Sequence, residues 1–100
     1  MLKVTILYHH PKDEKAFEEY YAQTHLPIAA KVQGVARLEL TKFTPGPGGE
    51  KPAYYRMAEL YFENEEQMKA SLGSADGKAT VEDLRNFATG GVTTLFGTTD

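Results

Sequence analysis

Four segments of the chain have apolar residues at alternate positions, and this period of two predicts β-strands. The clearest is residues 2–8, where Leu2, Val4, Ile6 and Tyr8 fall on one face and Pro11 follows shortly afterwards. The other three predicted strands cover residues 35–43, 54–62 and 92–96. A Gly- and Pro-rich stretch over residues 44–52 separates the second strand from the third and is expected to be a mobile hairpin loop.

The first helix is predicted between the first two strands, where apolar residues recur every three to four positions. Asp13 is a suitable N-cap, because its carboxylate can accept a hydrogen bond from a free backbone N–H of the first turn. Pro27 lacks an N–H and is expected to break or restart this helix. A separate short turn is then expected over residues 27–32, ending at Gly34.

A second helical region is predicted between the third and fourth strands. Asn64 is its expected N-cap, and the first helix of this region should end at Gly73. A further helix is expected over residues 74–87, with a break or bend near Gly77. The order of elements is therefore β-α-β-β-α-β, which predicts an α+β ferredoxin-like sandwich: a four-stranded antiparallel sheet with helices on one face.

A sheet covered by helices on one face leaves its other face without a partner. The third predicted strand has large apolar residues on both faces, and Tyr55, Met57 and Tyr61, or their alternates, would occupy the uncovered one. An apolar sheet face without helices predicts a homodimer.

Composition narrows the possible functions. The 100 residues predict a single domain over 1–100, with 41% hydrophobic and 25% charged residues, values typical of globular proteins. A net charge of −3 and only scattered arginines argue against nucleic acid as a partner, and no apolar run is long enough to cross a membrane. Cysteine is absent, which excludes thiolate chemistry and disulfides. No signal peptide is evident, so we expect a cytoplasmic location.

The best candidates for chemistry are Tyr21 and His25, which are four residues apart and share one helix face. A histidine near a helix end can serve as a general acid or base at neutral pH. In the alternative interpretation, His25 is purely structural and donates a hydrogen bond to a free carbonyl at the end of the helix. Tyr20 is adjacent, and the sequence does not decide which tyrosine faces inwards.

The other polar candidates are weaker. His9 and His10 point to opposite sides of a strand and cannot chelate one metal ion together, and we expect no metal site and no cofactor. His9 is a candidate for the rim of a cleft. Glu59 lies among apolar residues, and a carboxylate in such surroundings needs a charged partner. Arg37 is the expected partner. Arg56 is the less favourable candidate, because the strand period places it on the opposite face of the sheet from Glu59.

Three segments resemble the EthD family of the dimeric α/β-barrel superfamily, named for ethyl tert-butyl ether degradation. They are Phe17 to Pro27, with the pattern F-x-x-Y-Y-x-x-x-H-x-P, Tyr54 to Phe62, and Asp83 to Phe87 followed by Gly90, Gly91 and Val92. The resemblance implies a homodimer in which two sheets pack face to face, with a ligand cleft between each sheet and its helices. It also implies that the family histidine corresponds to His25.

The resemblance leaves the activity open, since the superfamily includes cofactor-independent monooxygenases, cyclases, isomerases and haem-degrading enzymes. The first hypothesis is a cofactor-independent enzyme that acts on a hydrophobic, oxygenated small molecule, with His25 and Tyr21 as catalytic residues. The second is a non-catalytic carrier that serves a partner oxygenase, and the third is a structural, stress-responsive dimer. The further residues expected to bind the ligand are Tyr20, His9, Phe17, Tyr61 and Glu59, although Phe17 also suits a plain core.

Overall fold

The computed structural model describes residues 1–100 and contains one antiparallel sheet of four strands in the order β2-β3-β1-β4. The strands are β1 (Leu2–Tyr8), β2 (Arg37–Lys42), β3 (Arg56–Phe62) and β4 (Val92–Thr98). In the centre of the sheet, Val4 of β1 lies opposite Leu60 of β3 and Phe96 of β4. With helices packed on one face, this arrangement confirms the predicted ferredoxin-like fold.

The helices are α1 (Glu14–Tyr20), a π-helical turn (Tyr21–His25), α2 (Leu26–Ala29), α3 (Glu65–Gly73) and α4 (Ala75–Phe87). Both predicted N-caps are confirmed: the Asp13 carboxylate accepts from the backbone N–H of Ala16 at 3.1 Å, and the Asn64 side chain accepts from that of Gln67 at 2.9 Å. None of these helices combines the length and the apolar character needed to span a membrane.

The restart expected at Pro27 is confirmed, since α2 begins at Leu26 with Pro27 in its first turn, but the chain is not broken and stays helical throughout. Pro27 lies in the first turn of α2 and has no N–H to donate to the preceding turn. The helical turn before Pro27 is wider by one residue than an α-helical turn. In this turn the N–H of Leu26 donates to the carbonyl of Tyr21, which is the i to i+5 pattern of a π-helix. Tyr21 and His25, at the two ends of this wide turn, are both buried, and their rings stack at 5.8 Å with 15° between planes.

The bend expected near Gly77 is also absent, since α4 is continuous and begins after its N-cap, Ser74. Gly77 instead allows the backbones of α3 and α4 to come close together. A Cβ built on Gly77 would lie 2.1 Å from the backbone oxygen of Ser71, which is far inside van der Waals contact. Gly77 therefore lets the first turn of α4 pack against the end of α3.

The residues of β1 and β3 divide between the two faces as the strand period predicts. Val4, Tyr8, Ala58 and Phe62 are buried beneath the helices. Tyr55 does not follow the period, because it precedes the regular pairing of β3, which starts at Arg56. The expectation that Tyr55 lies on the uncovered face is wrong: it is 4% exposed, and its ring contacts Phe17 of α1 edge-on at 5.1 Å.

The face without helices mixes apolar and charged side chains. Leu7 and Met57 lie opposite each other on β1 and β3. Glu59 is half-buried and pairs with Lys3 at 3.0 Å. The expected partners of Glu59 were wrong: Arg37 pairs with Glu39 on its own strand, and Arg56 lies on the helix side, where it bonds to Glu18 of α1.

Candidate functional site

A cavity of about 200 Å³ lies between the sheet and the helical segment formed by the π-helical turn and α2. Its floor consists of apolar side chains from β1, β2 and β3, and its roof consists of this helical segment, the chain that follows it and Thr80 of α4. Twelve of its fourteen lining residues are hydrophobic. The lining residues are Ile6, Tyr8, Tyr21, His25, Leu26, Ala29, Ala30, Val32, Val35, Leu38, Leu40, Ala58, Leu60 and Thr80.

His25 is held at the cavity wall by a carboxylate. Its Nδ1 lies 2.9 Å from Oδ2 of Asp83 on α4, and the two side chains are only 5% and 7% exposed. The hydrogen bond to a helix-end carbonyl that the structural alternative predicted for His25 is not formed, because its partner is a side chain 58 residues further along the chain. Its Nε2 makes no hydrogen bond within the protein, which leaves that nitrogen available for chemistry.

Asp83 is the centre of a hydrogen-bonded cluster. Its Oδ1 accepts from the hydroxyl of Tyr20 at 2.6 Å and from the side-chain amide of Asn86 at 3.0 Å. Burial opposes ionisation of this carboxyl, but the hydrogen bonds from Tyr20, Asn86 and His25 outweigh it and lower the pKa of Asp83. An ionised carboxylate can only accept, so Nδ1 of His25 must be the donor, and neutral His25 then has its lone pair on Nε2.

The hydroxyl of Tyr21 is the one buried side-chain polar atom that lacks a hydrogen-bond partner. Burial raises the pKa of Tyr21 to about 12, although the nearby charge of Arg56 opposes this increase. The guanidinium of Arg56 lies over the Tyr21 ring at 5.0 Å and is fixed by two hydrogen bonds to Glu18, at 2.9 and 2.6 Å. Tyr21 is therefore a neutral hydrogen-bond donor beside a guanidinium that is itself ion-paired with Glu18.

The structure distinguishes the two adjacent tyrosines. Tyr21 lines the cavity, whereas Tyr20 points towards Asp83 and lies in a separate groove with Phe17. The hydrogen bond to Asp83 raises the pKa of Tyr20, so this hydroxyl remains a donor. Phe17 is 2% exposed and belongs to the aromatic core. Neither Tyr20 nor Phe17 lines the cavity, and Tyr20 reaches His25 only through Asp83.

The remaining predicted binding residues lie away from the cavity. Tyr61 and Glu59 are on the face of the sheet that carries no helices, because they are odd-numbered residues of β3, whereas Ala58 and Leu60 face the cavity. His9 follows β1, bonds to the Thr93 hydroxyl at 2.8 Å and is absent from the cavity wall. No three His, Asp or Glu side chains are grouped so that they could hold a metal ion.

Sequence reasoning missed Asp83 as the partner of His25. One signal was present: Asp83 lies four residues before Phe87, so helical periodicity places this carboxylate on the same buried face of α4. A buried carboxylate needs a partner, and the unassigned His25 was available. Sequence spacing alone does not show that the two helices meet at this point.

The fold and the site define a ferredoxin-like protein with an apolar cavity and a histidine–aspartate pair in its wall. Comparison with known proteins makes the assignment more specific. The family model described as the EthD domain matches residues 9–91. An uncharacterised 11.0 kDa protein from the thcB–thcC intergenic region of Rhodococcus erythropolis is 38% identical over 96 residues, which cover 96% of this chain and 92% of that protein. The chain belongs to the EthD family.

Solved structures agree with this assignment. An EthD family protein from Bacillus halodurans superimposes with a TM-score of 0.92 at 32% identity, over 100% of this chain and 99% of that chain. SnoaB from Streptomyces nogalater, a cofactor-independent oxygenase, shares the fold alone, with a TM-score of 0.65 at 16% identity over 98% and 90% of the two chains. A protein from Bacteroides fragilis described as dimeric and ferredoxin-like also shares the fold, with a TM-score of 0.68 at 13% identity over 98% and 95%.

Proposed function

We propose that the cavity binds a small hydrophobic molecule bearing one oxygen, a carbonyl or a hydroxyl, and that His25 exchanges a proton with it. The observation that carries this proposal is the unpaired, buried hydroxyl of Tyr21, a residue that lines the apolar cavity together with His25. A buried hydroxyl without a partner costs about 1–3 kcal/mol, and a ligand oxygen would recover that cost.

The size of the cavity sets the size of the ligand. A dry apolar cavity of about 150 Å³ is known to hold benzene, so the cavity of about 200 Å³ is suited to a six-membered ring with a small substituent. Apolar walls with few polar groups hold such a ligand by burial and orient it by hydrogen bonding. The polar groups that would orient it are the Tyr21 hydroxyl and Nε2 of His25.

The geometry supports proton abstraction next to a carbonyl. The Tyr21 hydroxyl donates to the ligand oxygen while Nε2 of His25 accepts a proton from the adjacent carbon, and the electron pair of the broken C–H bond moves onto that oxygen. Asp83 stabilises the imidazolium that forms, and Arg56 over the Tyr21 ring stabilises the developing negative charge. The same two groups return the proton in reverse, so the step needs no cofactor.

The oligomeric state forms a second part of the proposal. The uncovered face of the sheet carries Leu7 and Met57 opposite each other near one end of β1 and β3, and Leu95 at 51% exposure on β4. A second copy of the chain would cover these side chains. The Bacteroides fragilis neighbour with the same fold is described as dimeric, which supports a dimer here. We therefore propose a homodimer that packs sheet against sheet.

The binding proposal is tested with cyclohexanone and cyclohexane, which have similar shapes and differ by one oxygen. Dissociation constants from NMR titration should favour cyclohexanone in the wild type, and Tyr21→Phe should weaken cyclohexanone by about fivefold while leaving cyclohexane unchanged. Tyr21→Phe should also be at least as stable as the wild type, because it removes an unpaired buried hydroxyl. Tyr61→Phe is the matched control, since Tyr61 lies on the other face of the sheet.

The same ketone separates the enzyme from a carrier. In D₂O the wild type should accelerate exchange of the hydrogens next to the carbonyl, and His25→Ala should lose about 10²–10⁴ of that acceleration. Binding without exchange would refute the catalytic role and leave a protein that holds its ligand for a partner oxygenase. Equal affinity of the wild type and Tyr21→Phe for cyclohexanone would refute the proposed site itself.

A further inference from the structure

A second cavity, of about 190 Å³, lies beside the first one under α4. Its floor includes Val4 of β1 and Thr94 of β4, and its roof includes Leu72 of α3 and Leu84 of α4. No titratable side chain lines it, in contrast to the first cavity with His25 and Tyr21. We call the first cavity the near chamber and the second the far chamber.

The two chambers share part of their walls. Ile6, Val32, Leu60 and Thr80 line both of them. The sheet continues beneath both chambers, since Ile6 and Leu60 belong to the paired strands β1 and β3. The chambers are therefore neighbours between the sheet and the helices, and only the near chamber has titratable side chains in its wall.

We infer that the two chambers form a single elongated site for an amphiphilic ligand, whose oxygen-bearing head lies in the near chamber and whose alkyl tail lies in the far chamber. The position of the head rests on the proposed function, and the position of the tail rests on the far chamber alone. Val81 and Phe96, which line the far chamber, are 54% and 63% exposed. An alkyl tail would cover apolar surface at these two residues, which favours its binding.

The length of the tail provides the test. In a series from cyclohexanone to 4-hexylcyclohexanone, each added methylene that enters the far chamber should tighten binding to the wild type by about fourfold. Dissociation constants are measured by NMR titration of the full chain. The head stays constant through the series, so the dependence on chain length reports on the far chamber only.

Thr94→Phe is the informative variant. Thr94 is exposed, makes no side-chain hydrogen bond and lines only the far chamber, so a phenyl ring there fills the chamber with little disturbance of the core. This variant should bind cyclohexanone like the wild type and lose most of the gain from longer tails. Thr98→Phe is the matched control: Thr98 lies further along the same face of β4, outside both chambers, and should keep the full gain.

The dissociation constants test the single elongated site and the proposed function of the near chamber separately. If cyclohexanone binds but the wild type shows no gain with tail length, the single elongated site is refuted and the proposed function stands. If cyclohexanone itself does not bind, the proposed function fails and the head has no site. If Thr94→Phe fails to fold, the position of the tail is determined in the wild type by NMR contacts between the protons of the ligand tail and the methyl groups of Thr94 and Val81. The absence of these contacts overturns the inference.

Discussion

Replacing Asp83 with asparagine tests the electrostatic arrangement of the site most directly. The Asp83 carboxylate accepts from Tyr20, Asn86 and His25 and is almost fully buried. In Asp83→Asn the amide oxygen can remain the acceptor for Tyr20 and Asn86, and the new NH₂ group then faces Nδ1 of His25. That nitrogen must now accept, so the neutral imidazole carries its proton on Nε2 and cannot serve as a base towards the cavity.

The expected loss of stability follows from the same contacts. A hydrogen bond to a charged group contributes about 1.5–3 kcal/mol to stability. Asparagine keeps the shape and can keep three hydrogen bonds, but it replaces a charged acceptor with a neutral one and reverses the bond to His25, so we expect a loss of about 2 kcal/mol in the free energy of unfolding. For a domain of this size, that loss lowers Tm by about 8–16 °C.

The pH dependence has a defined sign. The pKa of Asp83 is lower in the folded protein than in the unfolded chain, so its stabilisation is complete above the ordinary range of a carboxyl pKa and is lost as pH falls through the folded value. The difference in Tm between the wild type and Asp83→Asn should therefore be largest at neutral pH and should shrink on acidification below about pH 4.

Two measurements check these expectations. Thermal unfolding is followed between pH 7 and pH 3, and long-range ¹H–¹⁵N NMR spectra identify the tautomer of His25 in both proteins. We expect Nδ1–H in neutral His25 of the wild type and Nε2–H in Asp83→Asn. A variant as stable as the wild type at pH 7, with Nδ1 still protonated in the neutral ring, would refute the assignment of Asp83 as the group that orients His25.

Two further predictions concern packing. Gly77→Ala should destabilise the protein by about 1–3 kcal/mol in urea unfolding, because the new Cβ would meet the backbone oxygen of Ser71. Gly73→Ala is the control and should not destabilise it, since no atom lies within 4 Å of a Cβ there. Equal stability of the two variants would contradict the close approach at Gly77. Met57→Glu places a charge on the uncovered face of the sheet and should convert the proposed dimer to a monomer of 11.1 kDa in sedimentation equilibrium. Lys69→Glu, on an exposed helix face, is the control and should leave the dimer intact. A wild type that is already monomeric would refute the dimer.

The sequence predicts the fold well, because the information for its elements is local. Alternating apolar residues specify the strands, and Asp13 and Asn64 specify two helix starts through their own side chains. Pro27 shows the limit of this reasoning. Its missing N–H predicts a helix that breaks or restarts, but packing against the sheet and α4 is satisfied by a wider turn that keeps the chain helical.

The site is only partly predictable, because its partners are distant in the chain. The spacing of Tyr21 and His25 places them on one face, and both line the cavity. Asp83 is 58 residues from His25, and only the packing of α4 against the π-helical turn brings them together. Glu59 shows the same limit: the strand period places it on a face, but the pairing with Lys3 depends on side-chain reach across neighbouring strands.

The sheet–helix interface retains features that lower stability. An unpaired hydroxyl on Tyr21 costs about 1–3 kcal/mol, in a protein whose total stability is expected to be about 5–15 kcal/mol. Phenylalanine at this position would remove that cost, and larger side chains at Ala58 or Thr80 would fill cavity space. Proteins commonly retain such destabilising local features at functional sites, where ligand binding requires them. Tyr21, whose hydroxyl is unpaired, and His25, whose Nε2 has no hydrogen-bond partner within the protein, both line the cavity. A bound oxygenated ligand would fill the cavity and could supply the partner that each of these polar groups lacks.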